Sequence, residues 1–501
     1  MRNDFLRSGY ALLGLVIATG LTGLQVLANT ALVAPANFPA PRLQSLLDLA
    51  PDTATARALS IKGWKTLTGT KVLFIHTTAM PMFDLHVSFA AGSARDGDMP
   101  GLAAATMSML TEGVPGKDLP AIVETFDGLG AQLTMTIDHD RADFALRSLS
   151  HAQKRAPALE LLAQILGEPL LTEGALKRVK NELRDELNAR SVEAGNSPEQ
   201  AIKTMLAPHS SWSLPFYGTE QGLQTVTRAA VQNFHRRFYR ASHAQITLVG
   251  SLTLAEAKAL SLQISDALPV MSADTPATPM PTHDLIGTET SRHEEQSLTQ
   301  THLLLGQPSV SRQHPDYAAL YAANLIFGGS PNSRLMNALR EKHGLVYDAY
   351  SQNTTWATAG LMTISLQVSA SLSQAALALT EALFSDFLRD GPTEQEVAQI
   401  KLQVANMSAL TSASNRQILR QLVAINRHDL PLDLDYTAQQ VQGLTPGMIH
   451  EALNRHWAAD RWRRMTIGAT VDQQPLPTPS PTPPGGPSQS MCRAEAGFVA
   501  S

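Results

Sequence analysis

The chain has 501 residues, more than a single ordinary hydrophobic core contains, so we expect two or more domains. Its net charge of −5 offers no basic surface for nucleic acid, and its single cysteine, Cys492, excludes an internal disulfide and a zinc site built from cysteines. A hydrophobic content of 44% and a charged content of 17% are ordinary for a globular protein.

The first residues have the features of an export signal. Two arginines precede an apolar run at residues 10–24, and Val26-Leu27-Ala28 has the character of a cleavage site with the cut after Ala28. An uncleaved membrane anchor is the alternative, but glycines and threonines dilute the run and it is shorter than a typical span. We predict a signal peptide at 1–28, an N-terminal extension at 29–55 and an exported, periplasmic protein.

Two segments without apolar periodicity divide the rest of the chain. Residues 273–290 are rich in proline and threonine, which predicts a linker. Residues 473–501 begin with a proline-rich stretch and are predicted to be a disordered tail. These boundaries leave two segments of similar size, residues 56–272 and residues 291–472.

The two segments resemble each other at a nearly constant offset. The run that begins at Thr172 matches the run that begins at Thr393, 221 positions later, and in both a capping threonine precedes apolar residues at helical spacing. Residues 238–250 match residues 456–468 at an offset of 218. Two matches at almost one offset favour an internal duplication over a chance similarity of amphipathic helices.

Periodicity predicts strands early and paired helices late in each segment. The predicted strands are 72–76, 85–90, 133–137, 144–149, 299–305 and 361–368. The predicted helices are 156–166, 172–190, 317–327, 334–341, 372–389 and 393–409. This arrangement favours an α+β fold over a doubly wound parallel sheet.

Two segments of the sequence resemble motifs of one known family. Residues 328–351 (GGSPNSRLMNALREKHGLVYDAYS) resemble the C-terminal signature of the pitrilysin/insulinase family of inverted zinc peptidases, and residues 101–113 (GLAAATMSMLTEG) resemble its catalytic helix. The resemblance covers nearly all of residues 56–470. It implies two homologous domains, each a mainly antiparallel sheet with helices packed on one face, which together form half of a clamshell.

The catalytic helix of the family carries an H-x-x-E-H motif, in which two histidines bind zinc and the glutamate activates the metal-bound water. The matching positions hold Ala104, Met107 and Ser108. Alanine and methionine offer no suitable ligand, and a lone serine hydroxyl is a poor zinc donor. Glu186 matches the family's third ligand, but an ion pair with Arg190 on a helix surface is a sufficient role for it. We therefore expect no zinc in this chain.

Other polar groups build no competing site. Adjacent side chains in Asp138-His139-Asp140 point in different directions and seldom bind one metal, and His293-Glu294-Glu295 lacks a second histidine at helical spacing. Both are predicted to be solvated loops. Gly328-Gly329-Ser330 is predicted to be a turn into the following helix, since no G-K-[ST] sequence follows it. The sequence also lacks a G-x-S-x-G nucleophile elbow.

Arg340 and Tyr347 match the arginine and tyrosine with which the family holds the peptide backbone near zinc. A guanidinium and a phenol can donate hydrogen bonds to a substrate carbonyl and to the oxyanion that forms during attack. In isolation such a pair would be read as a surface charge and a half-buried aromatic, so the surrounding motif carries the interpretation.

The resemblance implies a non-catalytic subunit that pairs with a separate, zinc-bearing chain of the same family. Zinc is expected in that partner, and Arg340 and Tyr347 would hold the peptide substrates that the partner hydrolyses. A peptide-binding or scaffold protein with no role in cleavage is the first alternative. An autonomous peptidase with an unrecognised metal site is the second.

Overall fold

The structure, a computed structural model, describes residues 59–194, 198–208, 210–270 and 287–479. The predicted signal peptide and N-terminal extension, and most of the predicted linker, lie outside these residues. No helix in the described ranges is both long and apolar enough to cross a bilayer.

The first half of the described chain forms a six-stranded sheet, a short hairpin and eight α-helices. In chain order they are β1 (Lys62–Lys65), β2 (Lys71–His76), β3 (Met82–Phe89), α1 (Leu102–Met109), β4 (Gly113–Val114), β5 (Lys117–Asp118), α2 (Leu119–Leu129), β6 (Gln132–Ile137), β7 (Ala142–Leu149), α3 (Ala152–Gly167), α4 (Glu173–Ala194), α5 (Pro198–Leu206), α6 (Glu220–Thr225), α7 (Arg228–Phe238), β8 (Ala244–Gly250) and α8 (Leu254–Ala267). The order of strands in the sheet is β1-β2-β8-β3-β7-β6, and only β2 and β8 run parallel.

The second half forms a five-stranded sheet with six α-helices. In chain order they are β9 (Ser291–Glu295), β10 (Gln300–Ser309), α9 (Tyr317–Phe327), β11 (Val346–Thr355), β12 (Gly360–Ser369), α10 (Ser373–Asp390), α11 (Glu394–Thr411), α12 (Asn415–Arg427), α13 (Tyr436–Gln442), α14 (Pro446–His456) and β13 (Arg463–Gly468). A π-helical turn, Met336–Lys342, precedes β11. The strand order is β11-β12-β10-β13-β9, and only β13 and β9 run parallel.

The two sheets have the same topology. The order β9-β13-β10-β12-β11 in the second sheet repeats the order β2-β8-β3-β7-β6 in the first, and the parallel pair occupies the same place in both. This agreement supports the internal duplication. Each strand predicted from periodicity is present, and so is each predicted helix except 334–341, most of which is π-helical. The predicted α+β class is confirmed.

The central strands of each sheet are buried on both faces, which explains why some of them are continuously apolar instead of alternating. In β2 (KVLFIH), Val72 and Phe74 belong to the core under the helices of the first half, whereas Leu73 and Ile75 face the opposite side. The second face of each sheet is covered by a helix from the other half of the chain.

Helix α12 of the second half covers the first sheet. Its apolar residues Ile418, Leu422 and Ile425 pack with Leu73, Ile75 and Val249 in one buried cluster. The amide of Asn426, at the end of the same helix, donates hydrogen bonds to Ile246 O at 2.9 Å and to Thr247 Oγ1 at 3.0 Å.

Helix α5 of the first half covers the second sheet in the same way. Ile202 and Met205 pack against Leu304, Met465 and other residues of the strands. Gly306 in β10 permits this close approach, because a Cβ at that position would lie 2.3 Å from Ile202 Cγ2. The helices therefore pack on one face within each half, as expected, and are exchanged between halves on the other.

The segment Asp138-His139-Asp140 differs from the predicted solvated loop. His139 is 2% exposed and Asp140 is 9% exposed. Asp140 accepts a hydrogen bond from the backbone N–H of Ala357 at 2.6 Å, and Arg427 Nη1 lies 3.2 Å from Asp138 Oδ2. Burial raises the pKa of Asp140 to about 6. Residues distant in the sequence cover this loop, so local composition could not reveal its burial.

Candidate functional site

Helix α1 occupies the position of the catalytic helix. It begins after Gly101, which has a φ of 103°, and the Asp96 carboxylate accepts hydrogen bonds from the N–H groups of Gly101 and Ala103, both at 2.7 Å. These bonds satisfy donors that an open helix end would leave free. Burial raises the pKa of Asp96 to about 7, against the opposing effect of the two N–H groups.

Two of the three positions that match the zinc motif lie in the hydrophobic core. Ala104 is fully buried and Met107 is 6% exposed, and both belong to the main apolar cluster of the first half. Ser108 is half-buried. Helix α4, which contacts α1, carries Glu186, whose side chain is also half-buried. The side chain of Arg190 lies outside the described residues, so its predicted ion pair with Glu186 stays a prediction.

This set of side chains does not fit a catalytic zinc, because such a site needs about three protein ligands and Glu186 alone is a suitable one. The apolar packing around Ala104 also leaves no polar environment for a cation. No chemical step through a metal can therefore be derived for this chain.

One other group of ligand-type side chains lies close together in the described part of the chain: His314, Asp316 and His456, with their ligand atoms within 4.8 Å of one another. Asp316 Oδ2 already pairs with His456 Nε2 at 2.7 Å and with Arg455 Nη1 at 2.5 Å. His314 Nδ1 accepts the N–H of Asp316 at 3.1 Å. A divalent cation would have to displace Arg455, so we interpret the group as an ion-pair network.

The purified chain should hold no stoichiometric zinc, because its matching positions lack ligands. The measurement is the metal content by plasma mass spectrometry after incubation with zinc and dialysis. Retention of one zinc per chain would contradict the expectation, and Glu186→Gln and His456→Ala variants would then show which group binds it.

His293, the other histidine cluster considered from the sequence, lies in strand β9 and not in a loop. Its Nε2 is 3.2 Å from Glu295 Oε2, and its Nδ1 is 2.8 Å from Thr466 Oγ1. Because the strand lies at the edge of the sheet and its side chains are largely exposed, these contacts stabilise an open edge and do not form a binding pocket.

The second candidate site is built on the turn that follows α9. Gly328, Gly329 and Ser330 form the turn that was predicted there. The next residues were predicted to be an ordinary helix, but Met336–Lys342 is π-helical, with His343 N donating to Ala338 O at 3.2 Å. Such turns occur frequently at functional sites.

The π-helical turn is fixed at its start and on its inner side. Arg334 makes two hydrogen bonds to the Glu396 carboxylate, at 2.7 and 2.8 Å, and its guanidinium lies 4.6 Å from the ring centre of Phe387. Leu339 is fully buried beneath the turn. The turn ends at Gly344, whose φ of 60° suits glycine.

Arg340 and Tyr347 lie together at the exposed edge of the second sheet. The Arg340 Cζ is 5.4 Å from the centre of the Tyr347 ring, within cation–π range. Tyr347 is 86% exposed, and the Arg340 side chain is 46% exposed. The structure thus brings together two residues that the sequence separates by seven positions.

Strand β11 holds Tyr347 in an irregular part of its ladder. Val346 pairs with Val368 and Ala349 with Leu366, so one extra residue lies between them on β11 and the strand bulges. The N–H of Ala349 contacts Met336 Sδ at 3.4 Å, which ties the bulge to the π-helical turn. Neither the bulge nor the π-helical turn has a signal in the sequence that local propensities could detect.

These observations define the class of protein: a duplicated α+β peptidase-like chain whose metal helix has lost its ligands. Residues 71–217 match a sequence profile described as Insulinase (Peptidase family M16), and residues 225–404 match one described as Peptidase M16 inactive domain. The chain belongs to the insulinase family, peptidase family M16, which confirms the resemblance found in the sequence.

Solved structures agree. A crystal structure of a peptidase M16 inactive domain from Pseudomonas fluorescens is 36% identical, with a TM-score of 0.79, and the match covers 83% of this chain and 100% of that one. A protease from Helicobacter pylori, 15% identical with a TM-score of 0.72 over 82% of this chain and 99% of that one, shares the fold.

Curated relatives fall in the same family under contrasting names. The Bacillus subtilis protein named "Uncharacterized zinc protease YmxG" is 23% identical over 360 residues, which are 71% of this chain and 85% of that protein. The Helicobacter pylori protein named "Non-peptidase homolog YmxG" is 21% identical over 390 residues, 77% of this chain and 88% of that protein. This chain itself has Ala104, Met107 and Ser108 at the positions that match the zinc motif.

Proposed function

We propose that this chain is the non-catalytic subunit of an exported zinc-dependent peptidase and that it holds peptide substrates in the active site of a separate, zinc-bearing chain of its own family. The observation that supports this proposal is the contrast between the zinc-motif positions and the Arg340–Tyr347 pair. Ala104 and Met107, at two of the zinc-motif positions, lie in the hydrophobic core, whereas Arg340 and Tyr347 are exposed on a turn and a strand that other residues support. Export is supported by the N-terminal sequence alone.

The exposed pair suits a peptide backbone. The Arg340 guanidinium can donate two hydrogen bonds and the Tyr347 hydroxyl one, and carbonyl oxygens and a developing oxyanion accept such bonds. Strand β11 is at the edge of its sheet, with Tyr350 and Gln352 exposed beside Tyr347, so an extended peptide has an open strand to lie against. Recognition through the backbone would give little sequence preference.

The first test is to identify the partner. The mature chain is captured under native conditions from an extract of its source cells, and bound proteins are identified by mass spectrometry. The proposal expects a near-stoichiometric family member with an intact H-x-x-E-H motif. Recovery of the chain alone would favour the alternative, a peptide-binding or scaffold protein without a role in cleavage.

In the assembled pair, an Arg340→Ala change should lower peptide turnover several-fold or more, because a donor to the substrate carbonyl and oxyanion is lost. Tyr347→Phe should also lower turnover while it keeps the ring that packs against Arg340. Turnover by the purified pair is the measurement. Arg389→Ala, which alters an exposed arginine paired with Asp386 and Asp390, is the control. If all three variants turn over peptide at the rate of the unaltered pair, the substrate-holding role is ruled out.

A further inference from the structure

The described residues that follow β13 are docked onto the second half, although the sequence predicts a disordered tail from residue 473. Residues 480–501 of that predicted tail lie outside the described residues. We name residues 470–479 the strap. At its start, Thr470 N donates to the Glu295 carboxylate at 3.1 Å. Further along, Gln474 N donates to Ser371 O at 2.7 Å. These hydrogen bonds join residues that are far apart in the sequence, so the composition of the segment alone does not reveal them.

Gln473 is the main anchor of the strap. Its Oε1 accepts hydrogen bonds from Gln374 N at 3.0 Å and Ser373 Oγ at 3.2 Å, and its Nε2 donates to Ala370 O at 3.0 Å. Helix α10 begins here without a side-chain cap from its own N-cap residue, Leu372. Gln473 therefore satisfies a helix end from a hundred residues away in the sequence, as a capping residue normally does locally.

The far end of the strap contacts the π-helical turn. His343 Nδ1 donates a hydrogen bond to the carbonyl of Pro477 at 2.9 Å. His343 directly follows the last π-helical residue and precedes Gly344, and its own N–H donates to the carbonyls of Ala338 and Arg340. The strap thus connects the start of α10 with the residue that closes the turn carrying Arg340.

The turn needs this support on its outer side. Arg340, Glu341 and Lys342 are all exposed, so no core packing holds the last part of the π-helical turn. The strap has proline at positions 475, 477 and 479, which fix φ and reduce the conformational entropy lost when it docks.

We propose that the strap is a positioning element for the Arg340–Tyr347 pair, with Gln473 and His343 as the positioning residues. Gln473 binds the strap to the start of α10, and His343 binds the far end of the strap to the π-helical turn. Together these contacts keep Arg340 beside Tyr347. This inference rests on the proposed function for its consequence in catalysis. Its structural part concerns only the order of the turn and can be measured independently.

The test uses full-length chains with single changes and two measurements. His343→Ala and Gln473→Ala should each raise the amide hydrogen-exchange rates of residues 338–345 several-fold, and lower turnover by the assembled pair. His343→Asn, which can still donate near the Nδ1 position, should restore both. Gln474→Ala is the matched control, because it keeps the backbone bond to Ser371 and should change neither measurement.

The outcomes separate the two proposals. Unchanged exchange in both alanine variants would overturn the positioning role, and so would faster exchange with normal or higher turnover while Arg340→Ala still lowers turnover. Higher turnover in that case would mean that the strap obstructs the site. If exchange rises and Arg340→Ala has no effect, the proposed function fails, and with it the catalytic consequence of the strap.

Discussion

A chain with methionine in place of Arg427 should lose about 3–5 kcal/mol of its free energy of unfolding at neutral pH. Arg427 Nη2 lies 2.5 Å from Asp143 Oδ2, and Asp143 is only 9% exposed. Methionine fills most of the volume but leaves the carboxylate of Asp143 in a buried position without its main counter-charge. Arg427 belongs to the second half of the chain and Asp143 to the first, so the change weakens the contact between the two halves.

The effect of pH on the stability of this variant follows from the pKa of Asp143. Burial opposes ionisation of Asp143, but Arg427, His86 and Arg141 together outweigh it and hold the pKa of that carboxyl below its usual value. In the native protein this contribution to stability is present above the ordinary pKa of aspartate and is lost as the pH falls through the depressed pKa.

In the methionine variant the pKa of Asp143 should rise, so the folded state takes up a proton as the pH is lowered from about 7 toward about 4. The difference in stability between the two proteins should therefore shrink over this range. Chemical denaturation at several pH values measures it, with Arg389→Met as an exposed-pair control that should behave like the unaltered chain. A difference that stays constant with pH would contradict the assignment to Asp143.

Gly306→Val should destabilise the protein by about 3 kcal/mol, near the upper end of the usual cost of overpacking. A Cβ at Gly306 would lie 2.3 Å from Ile202 Cγ2, and Ile202 is fully buried between α5 and the second sheet. Because buried side chains are closely packed, Ile202 has little space into which it can move, and we expect α5 to shift away from the sheet.

A double-mutant cycle tests this explanation. Ile202→Ala creates a cavity by itself, but combined with Gly306→Val it should make room for the new side chain, so the two changes should offset each other by about 1 kcal/mol or more. Gly128→Val is the control, since a Cβ at Gly128 meets nothing within 4 Å. Strictly additive effects in thermal or chemical denaturation would show that Ile202 is not the cause.

Local pattern was enough for most of the elements and for the family. The helix predicted at 317–327 matches α9 residue for residue, because the apolar residues of this segment recur at helical spacing. The loss of the zinc ligands at Ala104, Met107 and Ser108 is likewise a property of residue types alone. In these cases the information lies within a short stretch of chain.

The features that escaped prediction depend on pairs of residues far apart in the sequence. Asp140 is buried because Ala357 and Arg427 lie over its loop, and the strap is ordered because Gln473 meets the start of α10. The π-helical turn differs from an α-helix by one residue in the register of its hydrogen bonds, and residue propensities do not distinguish the two. A periodicity argument describes each segment by itself and cannot include such partners.

The exchange of α5 and α12 makes the two halves a single cooperative unit. In a fragment that ends within residues 271–286, Leu73, Ile75 and Val249 would face water, and α5 would have no sheet to cover. One half alone could bury both faces of its sheet only by pairing with a second copy that lends its helix, which is a domain-swapped dimer. Joining the halves in one chain turns that association into an intramolecular event, so docking no longer depends on protein concentration.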